Sequence, residues 1–196
     1  TWNVFQIGCV STPLNFASQQ MRTFKLAWAL DTSNLIQDKR IAIVGGGLAG
    51  VTAGVVCLLR GAFTVTLYDR AHELMAFQRG TVHRYVHPMI FCWPDKAANR
   101  QTPNFKILNW KSNTADGIRR KVIQEANRWL DKCNTKRQKT RKKSDIYRQR
   151  LGCDVRQIVP DGERVRVLAE GQEAIWVKER NEALPVGDIR NYHDSY

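Results

Sequence analysis

The chain has 196 residues, 43% of them hydrophobic and 9% aromatic, which is enough apolar material for one core of ordinary size and excludes a disordered tail or a disulfide-held mini-protein. Formal net charge is +13 and unevenly placed: residues 119–150 hold 13 Lys and Arg against three acids (Glu125, Asp131 and Asp145), so an anionic partner or a solvated face belongs there. The five cysteines (Cys9, Cys57, Cys92, Cys133 and Cys153) are odd in number, scattered and without a C-x-x-C pair, which points to free thiols in a reducing, cytoplasmic setting.

In chain order, residues 4–10 form a short strand candidate, closed by Ser11, Thr12 and Pro13. The chain start lacks a basic region followed by a long apolar run, so no secretory signal is read. Leu14, Ala17, Met21, Phe24, Ala27 and Leu30 recur at helical spacing and predict one helix ahead of the main strand. Ile41, Ala42, Ile43 and Val44 make a continuous β-favouring run of the kind covered on both faces in a parallel sheet. Residues 51–59 have helical apolar character and stop at Arg60 and Gly61. Residues 64–69 read as a second strand. Residues 41–59 carry no charge and approach the roughly 20 residues of a membrane span, but the five glycines among them favour a strand, a turn and a helix, and no membrane is expected.

Residues 71–110, with Pro88, Pro94 and Pro103 and many aromatics, predict loops with short helical pieces. Asp116 is the expected cap of a helix whose apolar side is Ile118, Val122, Ala126, Trp129 and Cys133 and whose other side is basic. Residues 136–143 would be an exposed extension or a linker. Three strand candidates follow at 155–159, 164–168 and 174–177, the first two forming a hairpin about Pro160, Asp161 and Gly162. The expected organisation is an N-terminal strand and helix (1–40), a strand–turn–helix–strand unit with its following loop (41–110), a basic amphipathic helix (111–150), and a β-hairpin with a C-terminal tail (151–196), together one domain.

Gly45, Gly46, Gly47, Leu48, Ala49 and Gly50 satisfy G-x-G-x-x-G between a strand and a helix, the context that gives the pattern meaning. Gly45 permits the tight turn, Gly47 lets a pyrophosphate approach the backbone, and Gly50 allows helix and strand to pack closely. The free N–H groups and the positive helix end then face the phosphates. Asp69 closes the second strand 24 residues after Gly45, near the offset of a carboxylate that accepts hydrogen bonds from an adenosine ribose. A carboxylate there repels a 2′-phosphate, which favours FAD or NAD over NADP, although Arg70 stands next to it. A Walker A loop is excluded because Val51 and Thr52, not Lys and Ser/Thr, follow Gly50; a kinase loop would need H-R-D and D-F-G, which do not occur.

Residues 41–69 resemble the N-terminal fingerprint of the glutathione-reductase-like FAD/NAD(P)-binding flavoproteins, whose longer glycine pattern is matched at Gly45, Gly47, Gly50, Gly54 and Gly61. The resemblance implies an α/β, Rossmann-like fold with a parallel sheet, here joined by a basic helix and a small β-hairpin or meander. It implies an FAD whose diphosphate lies over residues 45–50 and whose ribose meets Asp69, and makes Arg79 a further cofactor contact. It covers only about 30 residues, and Asp stands where Glu is commoner. The A-T-G-like motif of a later family strand is missing, and a late Gly-Asp has a weak echo in Gly187 and Asp188. Family members are usually longer, so a reduced form or a fragment is expected.

Beyond the motif, His83, Arg84, His87 and Trp93 lie where they could reach a flavin or a substrate, but a packed loop with hydrogen-bonded histidines is the favoured reading. A metal on His83 and His87 is disfavoured by Pro88 and by the lack of a third ligand. The sequence reading is therefore an FAD-dependent oxidoreductase or its FAD-binding portion, acting on an unidentified small molecule. The rivals are an NAD-dependent enzyme and a non-catalytic module that binds nucleic acid through residues 119–150. The basic stretch by itself favours a solvated amphipathic helix. No catalytic residue is identified.

Overall fold

The computed structural model describes residues 3–7, 15–90, 95–138, 146–161, 164–171 and 192–195. The elements are α1 (Phe16–Thr32), β1 (Arg40–Val44), α2 (Leu48–Leu59), β2 (Thr64–Asp69), β3 (Tyr85–Val86), β4 (Asn113–Thr114), α3 (Ala115–Gln138), β5 (Tyr147–Leu151), β6 (Cys153–Asp161), β7 (Arg164–Gly171) and β8 (Tyr192–Ser195). The fold is mixed α/β, built on a three-stranded parallel sheet in the order β1-β2-β5. β1, α2 and β2 form the expected strand–turn–helix–strand unit, with Ile41 opposite Val65 and Val44 opposite Tyr68.

Side-chain alternation sorts the sheet into two faces. Ile43, Val65 and Leu67 enter the main core with Val51, Val55 and Leu58 of α2 and Ile118, Val122 and Ala126 of α3. Ala42 and Tyr68, one residue out of phase, pack in a second cluster with Cys153, Val167 and Ala169. The sheet thus lies between a helical layer and an antiparallel meander in the order β6-β7-β8. β1 is less covered than expected: it is the outer strand of the described sheet, Ile43 alone of its residues is buried, Ile41 and Ala42 are half-buried, and Val44 is half exposed.

Several expectations are corrected. α1 begins in a capping box, in which the Ser18 amide donates to Asn15 Oδ1 (2.7 Å) and the Asn15 amide to Ser18 Oγ (2.9 Å). Its buried residues are Phe16, Gln20, Thr23 and Ala27, whereas Met21 of the expected apolar face is exposed. Gln20 is buried at little cost because both ends of its amide are partnered: Trp110 Nε1 donates to Oε1 (2.7 Å) and Nε2 donates to the Leu108 carbonyl (3.1 Å).

α3 is held at its start by Thr114, whose Oγ1 accepts from the Gly117 amide (3.1 Å), in place of the expected Asp116. Asp116 lies inside the first turn and accepts from the Gly80 amide (3.2 Å). Leu130, not Trp129, completes the buried side of the helix after Ala126, and Trp129 is only partly buried.

The basic stretch also yields a strand that the sequence reading missed. β5 pairs in parallel with β2, Val65 opposite Tyr147 and Asp69 opposite Leu151, and the polar residues Arg148, Gln149 and Arg150 hid it. Residues 4–7 of the expected first strand are not a strand, and residues 8–10 lie outside the described residues. The hairpin forms with longer arms than expected, pairing Pro160 with Val165 and Asp161 with Arg164. The candidate strand 174–177 lies outside the described residues, and β7 takes β8 as its second neighbour. Among the described residues no helix is long and apolar enough to cross a membrane.

Candidate functional site

Sequence and sheet geometry meet at the end of β1. The Gly45 amide donates to the Tyr68 carbonyl (2.8 Å), extending the pairing with β2 by one bond before the chain turns away with Gly45 at φ +106°. Only glycine adopts that conformation readily. The turn brings α2 so close to β1 that a Cβ on Gly50 would lie 1.8 Å from the Gly45 carbonyl oxygen. One helical turn on, a Cβ on Gly54 would come within 2.9 Å of the Tyr147 ring on β5. Gly50 and Gly54 therefore press the helix onto the sheet, as their spacing predicted.

Gly47 has the opposite character. It is the N-cap residue of α2, with no side-chain cap bond, and a Cβ placed on it would meet nothing within 4 Å. The first helical bond runs from the Val51 amide to the Gly47 carbonyl (2.9 Å), so the amides of Leu48, Ala49 and Gly50 precede the intrahelical ladder. The first turn carries no acidic side chain. An uncapped helix start of this kind presents N–H donors and a partial positive charge to an anion.

Asp69 points at the turn. Its Oδ2 accepts a hydrogen bond from the Gly46 amide and its Oδ1 accepts from the Ala71 amide (2.7 Å). A Cβ on Gly46 would sit 3.1 Å from both Asp69 and Leu74, so a side chain at this nominally variable position of the glycine pattern would require those two to give by a few tenths of an ångström. The Gly46 carbonyl in turn accepts from the Met75 amide (2.9 Å). The Gly46 peptide is thus held on both sides. An ionised carboxylate has about four lone-pair sites, so two backbone donors leave Asp69 capacity for a ligand hydroxyl.

The loop after β2 is anchored from α3. Arg119 Nη2 donates to Glu73 Oε2 (2.6 Å) and Arg119 Nε to the Leu74 carbonyl (3.3 Å). The other Glu73 oxygen accepts from Arg79 Nη1 (2.8 Å), and this bond, with the charge of Glu73, raises the Arg79 pKa. Arg79 is thereby committed to a surface ion pair, and Arg70 is exposed beside Asp69. Met75, Leu74 and Arg119, which support the turn, carry no motif, and nothing in the sequence singled them out.

A groove of about 1290 Å³ opens in front of the turn. Gly45, Gly47, Ala49 and Gly50 line one part of it, and it extends along β1 to Ile7 and to Val167 of the meander. The turn is therefore open on the side of Gly47. Cys57 of α2 also borders the groove, and burial, then the charge of Asp31, pushes its thiol up to about 12.

The histidine-rich loop matches the packed-loop expectation only at His87, and residues 82–85 are exposed. His87 Nδ1 accepts from the Met89 amide (3.2 Å) and its Nε2 lies 3.4 Å from Gln101 Nε2, while His83 and Arg84 are exposed. Strand β3 falls between the two histidines, so they do not share a helix face. Among the described residues no three His, Cys, Asp or Glu side chains cluster as metal ligands. Trp93, Gly187 and Asp188 lie outside the described residues.

No protein-family model and no curated protein sequence matches the chain. Among solved structures, the chain is similar to the lysine monooxygenase NbtG from Nocardia farcinica, whose NADPH domain has a conformation described as unprecedented. The identity is 15% and the TM-score 0.38, over 74% of this chain and 30% of that one. The chain thus spans less than a third of that protein's length.

Proposed function

We propose that this chain binds FAD through its adenosine diphosphate half and serves as the FAD-binding portion of a flavin-dependent oxidoreductase. The observation that carries this reading is the turn itself: Asp69 holds the Gly46 amide while Gly47 and the uncapped start of α2 face an open groove. In this reading the amides of residues 47–50 receive the diphosphate and the remaining lone pairs of Asp69 receive the ribose hydroxyls. The same carboxylate disfavours a 2′-phosphate by charge repulsion and by leaving its oxygens without donors. The groove of about 1290 Å³ has room for a dinucleotide beside Gly47, although Asp69 is not part of its lining.

Bound flavin would supply the electron transfer, and the residues named here bind and orient it. Arg70 and Arg79 are secondary contacts in this proposal; Arg79 would have to exchange Glu73 for the cofactor. The test is direct. Purified protein should be yellow or take up added FAD with quenching of flavin fluorescence, and heat should release FAD. Protein that binds NAD but no flavin, or neither, overturns the assignment.

A further inference from the structure

The outer side of α3 carries a feature that cofactor binding does not use. Lys121, Arg128, Lys132 and Lys136 are exposed, and at 100° per residue they fall on one outward stripe of the helix. Lys121 is paired with Glu125 (3.3 Å), and Arg120, to one side, with Asp116 (3.3 Å). Arg128, Lys132 and Lys136 form no ion pair among the described residues. They rise one helical turn at a time, about 6 Å apart, around a shallow concavity of about 510 Å³ that Asp131 and Thr135 also line. Arg128 and Lys132 both lie over the Trp129 ring, 5.8 and 4.6 Å from its centroid, which restrains their side chains on the surface.

We infer that this stripe binds the sugar–phosphate backbone of a nucleic acid without reading its sequence. Three cations at constant pitch, without ion pairs among the described residues, match a polymer of regularly repeated negative charge, and each phosphate neutralised releases counterions. Trp129 is occupied by its two cations and partly buried, so it offers no face for base stacking, and recognition rests on charge alone. An anionic membrane fits less well. The apolar side of α3 (Ile118, Val122, Ala126 and Leu130) is spent in the core, and no large apolar side chain of α3 is exposed to enter a bilayer. Asp131, at the edge of the stripe, is the exposed acid that a phosphate would have to pass.

The experiment measures anisotropy of a fluorescein-labelled 20-nucleotide RNA, and of a 20-base-pair DNA duplex, on titration with the full chain between 50 and 200 mM salt. With three phosphates neutralised, log K against log salt should have a slope of about −2 on the single strand and about −3 on the duplex. The variant Arg128→Gln/Lys132→Gln/Lys136→Gln should lose at least tenfold in affinity at low salt with an unchanged circular-dichroism spectrum. A control with the same loss of charge elsewhere, Lys25→Gln/Lys96→Gln/Lys106→Gln, should keep most of the binding. Equal losses in the two variants, no binding at low salt, or binding to phosphatidylserine vesicles in preference to both nucleic acids would overturn the inference.

Discussion

A Cβ on Gly47 enters open space, whereas one on Gly50 collides with the Gly45 carbonyl, so two glycines of one motif answer to different demands. Gly47 also sits at φ −71°, a conformation open to alanine. Gly47→Ala should therefore lower the unfolding free energy by no more than about 1 kcal/mol, the cost of alanine for glycine at an N-cap, while its methyl group, standing where the diphosphate would lie, should weaken FAD binding at least tenfold. Gly50→Ala should cost more than about 3 kcal/mol, because backbone must move. Urea denaturation and flavin titration separate the two. If Gly47→Ala binds FAD as the parent does, the diphosphate does not lie over that residue. Gly46 is a third case, since its amide and carbonyl are both engaged and an added Cβ would come within 3.1 Å of Asp69 and Leu74.

Among the elements, α1 departs in part from its sequence pattern. Its spacing of apolar residues placed the helix and most of its inner side, since Ala17, Phe24, Ala27 and Leu30 pack on the core, but missed buried Gln20, which is held by a polar connection to Trp110 and the Leu108 carbonyl, 88 to 90 residues away in sequence. Replacing Gln20 with Leu keeps the volume but strands a buried indole N–H and a carbonyl, and should cost about 2–4 kcal/mol. Adding Trp110→Phe should then cost less than it does in the parent, a non-additivity that a double-mutant cycle measures. Strict additivity would mean that the Gln20–Trp110 bond contributes nothing. α3 shows the same limit on a smaller scale: its period was legible, but its cap is Thr114 rather than Asp116, which is drawn to Gly80.

At the scale of the molecule, the layers bury groups that titrate in alkali. Burial pushes the Cys57 thiol, ordinarily near 9.0, and the Tyr147 phenol, ordinarily near 10.0, each up to about 12. Both are neutral in the folded state, and the unfolded chain releases their protons first. Between about pH 9 and pH 12 the folded state therefore holds more protons than the unfolded one, and stability falls as pH rises. Urea midpoints measured from pH 8 to pH 11 should decline, and Cys57→Ala should make the decline shallower. A midpoint independent of pH up to 11 would contradict the burial of both groups. At pH 8 native Cys57 should also resist alkylation that modifies the unfolded chain rapidly.

The βαβ unit was legible because its information is local: a β-favouring run, three glycines, an apolar helix and a carboxylate at a fixed offset lie within 30 residues and follow from backbone sterics. That Asp69 would turn toward the glycines could be expected from the same spacing. The sequence did not reveal β5, because its polar residues Arg148, Gln149 and Arg150 are strand-forming only when β2 is beside them. Nor did it reveal the support that Met75 and Arg119 give the Gly46 turn, or the meander's place on the second face of the sheet. Those depend on contacts between segments far apart in the chain, where partner and distance, not residue type, decide what a side chain does.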